Sequence, residues 1–286
     1  YEKSIKYYKK AAKLGYENGY YSLATIYYQI NDNQVNIDKI IKYLEKTLEI
    51  NANHIDSLNL LGYIYLNERI SSENHEKAKR YFSKSLSNDP TNQDKYALCN
   101  YGDYYYYAQY EAKDIPKATQ YYMQSSEKGY SDGTLKLGII QKNHFHKYSL
   151  AKTYFEKAAQ ENNIDSYYYL GKTYYKGYGT SIDYPKSFHY YEIASFFSHP
   201  KAQYCLGIMY YYGIGTKKSY KDAFYLFNLA EKTNLNAAYY LGYMYENGKG
   251  VERNISKAIM YYEKCAKKEE TRFVLTIGDG FKRIKI

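Results

Sequence analysis

Tryptophan is absent from this chain of 286 residues, and cysteine occurs only three times. The cysteines, Cys99, Cys205 and Cys265, lie far apart and belong to no local motif. Cys205 and Cys265 occupy apolar positions of helical patterns, where they fit small buried hydrophobic residues better than disulfides or metal ligands. This usage mildly favours a reducing compartment such as the cytoplasm and leaves localisation otherwise unknown.

Long hydrophobic runs are also missing. No apolar stretch is long enough to cross a bilayer, so no transmembrane segment is predicted. The sequence begins at Tyr1, without methionine and already inside a helical pattern, and we therefore expect it to be a piece of a longer protein.

Arginine is scarce although the chain carries a net charge of +10. Phosphate and base recognition usually prefers the planar guanidinium group, and a nucleic-acid footprint should cluster in one region. Here acidic residues are interspersed among the lysines throughout, so we do not expect a nucleic-acid partner. The arginines are Arg69, Arg80, Arg253, Arg272 and Arg283.

Two helical patterns joined by a short turn occupy residues 238–266. Leu241, Gly242 and Tyr245 fall on one face of the first helix. Ala258 and Tyr262 share a face of the second helix, and the turn between the helices is rich in glycine. Because the same pair of patterns recurs upstream, the sequence predicts an α-solenoid.

A small residue in the first helix of each repeat marks the period. Its successive separations are 38, 40, 36, 33, 36 and 35 residues. Glycine inside a helix costs about 1 kcal/mol relative to alanine, so we expect a close backbone approach by a neighbouring helix at this position. These register positions are Ala24, Gly62, Gly102, Gly138, Gly171, Gly207 and Gly242.

The repeats divide the chain into a single predicted solenoid and a short tail. The solenoid would occupy residues 1–270, with a half-repeat at 1–15 and about seven helix pairs over 18–268. The tail at 271–286 breaks the pattern. Since the open end of a solenoid needs covering, we expect a cap or a truncated next repeat there, and a short extended segment is the other interpretation.

Three motifs in the seventh repeat carry a family resemblance. They are Leu-Gly-x-Met-Tyr at 241–245, Gly-Lys-Gly-Val at 248–251 and Lys-Ala-x-x-Tyr-Tyr-x-Lys at 257–264. The chain thereby resembles the Sel1-like repeat family, a branch of the tetratricopeptide-like α-solenoids. This resemblance implies an all-α, right-handed superhelical solenoid of antiparallel helix pairs that acts as a scaffold for other proteins. It fixes no particular partner or pathway.

Motifs for catalysis, metals and cofactors are weak. The glycine pairs near 177, 213 and 248 lack the strand and the Gly-Lys-Ser/Thr context of phosphate loops, so we interpret them as turn glycines. His144 and His146 have no third ligand nearby in sequence. With no recognisable nucleophile or carboxylate pair, we predict that the chain is not an enzyme and uses no cofactor or metal.

Tyrosine, which occurs 45 times, is the residue type that best indicates a function. Tyrosines three residues after the register position should pack between helices. A second stripe lies three residues before, one after and four after that position, on another face of the first helix. In tetratricopeptide-like stacks the first helices line the concave surface, so this stripe would form the groove. The predicted groove residues are Tyr21, Tyr28, Tyr63, Tyr106, Tyr168, Lys172, Tyr175, Tyr204, Tyr211, Tyr239 and Tyr243.

An exposed row of tyrosines suits peptide capture, because each ring offers a large apolar face and a hydroxyl at low entropic cost. We therefore predict a scaffold or adaptor that binds a peptide segment or a partner protein in this groove. Lys172 and Lys201 would be available to acidic side chains. Two alternatives stay open: the tyrosines only fill contacts between repeats, or lysines of the outer helices bind RNA or an anionic membrane surface.

Overall fold

The computed structural model describes residues 1–30, 37–67, 71–88, 94–107, 113–266, 274–277 and 280–283. Its described part contains fifteen α-helices followed by two short strands, which confirms the predicted all-α solenoid class. Among these helices, none has the length and apolarity that crossing a membrane requires. The helices are α1 Glu2–Lys13, α2 Glu17–Ile30, α3 Ile37–Ile50, α4 Ile55–Asn67, α5 Ser72–Asn88, α6 Lys95–Tyr106, α7 Ile115–Glu127, α8 Ser131–Asn143, α9 Tyr148–Gln160, α10 Ile164–Lys176, α11 Tyr184–Phe196, α12 Pro200–Tyr212, α13 Tyr220–Ala230, α14 Leu235–Asn247 and α15 Ile255–Ala266.

The contacts divide the chain into two compact units, residues 1–140 and 141–286, here called the N-terminal and C-terminal units. In the N-terminal unit α1 packs on α2, and the helix pairs are α2 with α3, α4 with α5, and α6 with α7. In the C-terminal unit α9 packs on α10, and the pairs are α10 with α11, α12 with α13, and α14 with α15. Short connections make the two helices of each pair antiparallel. Within each unit the second helix of one pair packs on the first helix of the next.

An aromatic ring from the second helix covers the register glycine of its own pair. A Cβ built on Gly62 would lie 2.5 Å from the ring of Phe82, and one built on Gly171 would lie 2.6 Å from the ring of Tyr191. Real Cβ atoms essentially never approach a heavy atom within 3.0 Å. The expected close approach therefore exists, but a ring fills the space instead of the neighbouring backbone, because it reaches across the helix interface. The equivalent pairs are Gly102 with Tyr122, Gly207 with Phe227 and Gly242 with Tyr262.

A lysine and two tyrosines form a stack that recurs in five helix pairs. In the pair of α10 and α11, the rings of Tyr174 and Tyr190 are stacked with centroids 5.6 Å apart. Nζ of Lys186 lies 5.4 Å from the centroid of Tyr174, within the range of a cation–π contact. Each stack joins the two helices of one pair. The others are Tyr27, Tyr43 and Lys39; Tyr65, Tyr81 and Lys77; Tyr105, Tyr121 and Lys117; and Tyr245, Tyr261 and Lys257.

The glycine pairs lie in the turns between helices, as the sequence predicted. Gly213 ends α12 in the left-handed conformation, with φ of 73°, and its N–H donates to the carbonyl of Met209. Gly215 also has positive φ, and a Cβ there would lie 2.5 Å from the carbonyl oxygen of Tyr184. The turn thus packs against the backbone at the start of α11, in the preceding pair.

The tail contains extended backbone outside the helix pairs. Strand β1, Val274–Ile277, pairs antiparallel with β2, Gly280–Arg283, so that Val274 lies opposite Arg283. The rest of the predicted segment 271–286 lies outside the described residues. Its role as a cap or a truncated repeat stays a prediction.

Candidate functional site

The predicted groove residues all lie on first helices of helix pairs, namely α2, α4, α6, α10, α12 and α14. Nine of the eleven are half-buried and two are buried. Seven of them line two concave pockets, one in each compact unit. Within each unit, the structure therefore brings part of the predicted stripe together.

The C-terminal pocket has a volume of about 350 Å³ and lies between α10 and α12. Tyr168, Lys172 and Tyr175 line it from α10, and Lys201 and Tyr204 line it from α12. Every one of these five residues was named from the sequence. The further lining residues are Lys176, Tyr191, Cys205, Ile208 and Asn234, and of these only Ile208 lies on the predicted stripe, one residue after Gly207.

Positive charge dominates this pocket. None of its described lining residues is Asp or Glu, and Lys172 and Lys201 form no ion pair with any residue that the structure describes. Burial and the nearby charge of Lys172 lower the pKa of Lys142. Burial raises the pKa of the Cys205 thiol to about 11, so this group adds no negative charge at neutral pH.

The tyrosines of this pocket also pack between successive helix pairs. The ring of Tyr168 stacks on His199 with centroids 4.8 Å apart, and His199 caps the start of α12 through its contact with Ala202 N. Tyr204 lies 6.0 Å from the ring of Phe227. Burial raises the pKa of both Tyr168 and Tyr204, which keeps their hydroxyls protonated. Each of these tyrosine side chains thus lines the pocket and also fills a contact between successive helix pairs.

The N-terminal pocket has a volume of about 450 Å³ and contains three predicted residues, Tyr21, Tyr28 and Tyr63. Tyr28 and Tyr63 meet edge to face, with centroids 6.3 Å apart. Its character differs from that of the C-terminal pocket, because amide side chains and one carboxylate line it and none of its described lining residues is Lys or Arg. The remaining lining residues are Thr25, Gln29, Asp56, Asn59, Leu60, Tyr96, Asn100 and Tyr130.

Asn59 presents an unsatisfied acceptor in the N-terminal pocket. Its Nδ2 donates to the carboxylate of Asp94, and that carboxylate also caps α6 by accepting from Tyr96 N and Ala97 N. The orientation of the amide follows, because the opposite one would turn its oxygen toward the carboxylate. Its Oδ1 is buried and has no hydrogen-bond partner among the described atoms. An unsatisfied buried acceptor of this kind lowers the stability of the folded chain.

Two predicted groove residues are corrected by the structure, since Tyr106 and Tyr211 are buried instead of exposed. Tyr106 lies edge to face with Tyr107, with centroids 4.7 Å apart. The ring of Tyr211 is covered by Tyr240 of the next helix pair at 5.3 Å. Both lie four residues after the register glycine. A large ring next to each of them buries a side chain that was expected to face the groove.

Tyr239 and Tyr243 are half-buried on α14 and line neither of the two pockets. Tyr239 packs on Tyr262 of its own pair, with centroids 5.7 Å apart. The Nζ of Lys249 lies 4.9 Å above the ring of Tyr243. These two residues therefore extend the tyrosine face along α14 without closing a cavity.

One contact between successive helix pairs recurs at a fixed position, and it involves Asn59, a lining residue that sequence reasoning missed. The residue three positions before the register position meets the N-cap region of the next first helix. The observed pairs are Tyr21 with His54, Asn59 with Asp94, and Tyr168 with His199. Capping residues at this spacing are visible in a sequence, and they would have marked Asn59 as a contact between helix pairs.

Metal binding finds no support at His144 and His146, which are exposed. Over the described ranges, no three His, Cys, Asp or Glu side chains gather into a group that could hold a metal ion.

Stacked helix pairs with tyrosine-lined pockets on their first helices define a helical-repeat protein of the tetratricopeptide-like class. The Sel1 repeat family model matches residues 1–16, 55–90, 95–130, 132–163, 164–195, 200–232 and 235–269. The chain belongs to the Sel1 repeat family. Residues 17–54 lie between two of the matches, yet they form the helix pair α2 and α3. Repeats of this kind generally mediate protein–protein interaction, and the fold is typically a non-catalytic scaffold.

Solved structures support the same fold. A Sel1 repeat protein from Oxalobacter formigenes is 22% identical, with a TM-score of 0.68 over 79% of this chain and 94% of its own. The protective antigen c5321 of uropathogenic Escherichia coli is 22% identical, with a TM-score of 0.62 over 92% of this chain. Yeast Tom70 is 14% identical, with a TM-score of 0.60 over 95% of this chain and 61% of its own.

The chain spans 56% of the length of the Escherichia coli antigen structure. No curated protein matches it in a sequence comparison.

Proposed function

We propose that this chain is a non-enzymatic scaffold that binds a peptide segment or a partner protein on the tyrosine-lined faces of its first helices. One observation carries the proposal: seven of the predicted groove residues line two concave pockets. Apolar and aromatic walls with a few polar groups are the usual composition of a binding pocket.

The pocket tyrosines are held in place before any ligand arrives. Tyr168 is stacked on His199, and Tyr175 lies edge to face with Tyr184 at 5.4 Å. Binding therefore orders few side chains, and the entropic cost of forming a complex is reduced. This arrangement supports recognition of a segment laid against rigid rings.

An electrostatic surface for RNA or anionic lipid is the alternative function. The described lysines of the second helices give it less support, because five of them lie over tyrosine rings in the recurring stacks. Lys77 also pairs with Glu73 at 2.6 Å, within the same helix. Binding to a polyanion would weaken steeply with added salt, because many counterions would be released.

A selection of random peptides displayed against the whole chain tests the proposal. Selected peptides are measured by calorimetry against three variants: Tyr63→Ala and Tyr175→Ala in the two pockets, and Tyr225→Ala as a control. Tyr225 is exposed on α13, outside both pockets. We expect each peptide to lose at least about tenfold in affinity in one pocket variant and to keep its affinity in the control. Failure to select any peptide, or equal binding to all three variants, contradicts the proposal.

A further inference from the structure

The C-terminal pocket combines a charged margin with an apolar base. Lys201 is exposed, and Lys172 and Lys176 are half-buried. Tyr191 and Ile208 line the same pocket and are buried, at 3% and 8% exposure. A ligand would therefore meet ammonium groups at the edge and apolar surface further in.

The positive charge of this margin is not neutralised by the lining residues. None of the described lining residues carries a carboxylate. Burial, and to a lesser degree the like charge of Lys172, lowers the pKa of Lys142, so these two ammonium groups repel each other. Bringing carboxylates to this margin would relieve the repulsion and give Lys172 and Lys201 a counter-charge.

The N-terminal pocket is also lined by tyrosines, but it lacks the positive charge of the C-terminal pocket. The two pockets share tyrosines from first helices, but the N-terminal one is lined by Asp56 and amides, with no described lysine in its wall. The lysines of the C-terminal pocket therefore distinguish one site and point to its ligand.

We infer that the C-terminal pocket is a site for an acidic peptide segment, in which one apolar side chain enters the pocket and flanking carboxylates reach Lys172, Lys176 and Lys201. This inference rests on the proposed function and names the chemistry of its partner. The apolar base accounts for the anchor side chain, and Lys172 and Lys201, which form no ion pair with any described residue, account for the acidic flanks.

A nucleic acid fits this site less well than a peptide. A phosphate backbone needs cations along an extended track, whereas three lysines surround one cavity of about 350 Å³. No arginine lines the described pocket, although the guanidinium group is the usual choice for phosphate. A peptide with a single apolar side chain and carboxylates on either side matches both the volume and the charge of this pocket.

Fluorescence anisotropy with defined peptides tests the inference on the whole chain. The main probe is a fluorescein-labelled Glu-Glu-Leu-Glu-Glu peptide; its Gln-Gln-Leu-Gln-Gln and Glu-Glu-Ala-Glu-Glu counterparts remove the charge or the anchor. A single-stranded oligouridylate of equal charge is the fourth probe. We expect the main probe to bind at least about tenfold more tightly than the other three.

Two triple variants with the same change in net charge locate the binding. Lys172→Gln, Lys176→Gln and Lys201→Gln alter the pocket, while Lys128→Gln, Lys217→Gln and Lys221→Gln alter exposed lysines elsewhere. The pocket variant should bind the main probe about tenfold more weakly, and the control variant should bind it as the unchanged chain does. Helical circular dichroism and melting temperature verify that both variants are folded.

Each of the following results would overturn the inference. Equal binding of the main probe to both triple variants places the contact elsewhere, and equal binding of the uncharged peptide removes the role of carboxylates. Tighter binding of the oligouridylate, lost in the pocket variant, assigns the site to nucleic acid. If the main probe does not bind while a display-selected peptide does, the acidic chemistry is wrong and the scaffold proposal stands. If no displayed peptide binds either, both proposals fail.

Discussion

Gly207 of α12 lies directly beneath the ring of Phe227 of α13. A Cβ built on this glycine would approach ring atom Cε1 to 2.7 Å, and Phe227 is fully buried. The ring is therefore enclosed by protein, and any movement must displace its neighbours. Glycine persists inside this helix because the volume of a methyl group has already been taken by the facing aromatic residue.

Gly207→Ala should destabilise the C-terminal unit. Alanine gains about 1 kcal/mol of helix propensity, but overpacking against a fixed ring costs about 1–3 kcal/mol, so we expect a net loss of up to about 2 kcal/mol. Urea unfolding followed by circular dichroism measures the change. An increase in stability would show that the ring shifts without cost.

The matched control removes the ring that causes the clash. Phe227→Leu alone should destabilise the chain by leaving a cavity, whereas in the Gly207→Ala background the new methyl group fills part of that space. The double variant should therefore lose about 1 kcal/mol less than the two single losses combined. Additive losses would mean that the two residues act independently.

The helix pairs were predictable from sequence because each helix repeats its apolar residues at a helical period. Gly171 and Tyr191 illustrate the limit of that reasoning. The period of α10 marks the glycine as special, but the identity of the group above it depends on how α11 crosses α10. The contact depends on two helices whose apolar patterns are independent of each other in the sequence. The 20-residue spacing from the register glycine to an aromatic residue becomes visible only when several repeats are compared.

The candidate site was predictable only in part for a related reason. Tyr175 and Tyr211 occupy the same repeat position, yet Tyr175 lines a pocket and Tyr211 is buried. The difference arises in the following helix pair, which places Tyr240 against Tyr211. Position on a helix predicts the face of a residue, and the neighbouring repeat decides its exposure.

His199 contacts two helix pairs. Its substitution should separate the stability that comes from capping α12 from the stability that comes from stacking on Tyr168. Its Nδ1 accepts from Ala202 N at 3.0 Å, its ring stacks on Tyr168, and its Nε2 lies 3.3 Å from Asp165 Oδ1. His199→Ala removes all three contacts and should cost about 1.5–2 kcal/mol in urea unfolding.

His199→Asn is the informative control, since Asn163 and Asn234 cap α10 and α14 at this position. Asparagine restores the cap but not the stack, so it should recover about 1 kcal/mol of the loss. If asparagine is as destabilising as alanine, the contact between pairs outweighs the cap.

Lys136 neutralises a carboxylate inside the N-terminal unit. Asp103 Oδ1 accepts from Lys136 Nζ at 2.7 Å and from the hydroxyl of Tyr122 at 2.6 Å. Burial alone would lower the pKa of Lys136, but the adjacent carboxylate raises it. Lys136→Met should cost about 2–3 kcal/mol in chemical unfolding, because it leaves a largely buried charge without its counter-ion.

Removing that charge should rescue the lysine variant. In Asp103→Asn the amide oxygen still accepts from Tyr122, and no uncompensated carboxylate is left when lysine is absent. The double variant with Lys136→Met should thus be more stable than Lys136→Met alone. Equal stability of these two variants would show that solvent already screens Asp103.

Alkaline pH should unfold the chain through its buried tyrosines. Burial raises the pKa of Tyr122, Tyr191 and Tyr240 above the ordinary value of 10.0, so the folded state keeps protons that the unfolded state releases. Their contribution is fully present below pH 10.0 and decreases as pH rises toward the folded pKa values, with a slope of about 1.4 kcal/mol per pH unit for each such proton.

Tyrosinate absorbance and helical circular dichroism, recorded together along an alkaline titration, measure this coupling. We expect the last tyrosines to ionise only as helicity is lost. Tyr191→Phe provides the matched variant, because Phe82 and Phe227 occupy the equivalent position over Gly62 and Gly207. It keeps the ring and removes one proton, so its stability should decline less steeply above pH 10.0, the ordinary tyrosine pKa. Complete tyrosine ionisation with helicity retained would show that these hydroxyls reach solvent in the folded state.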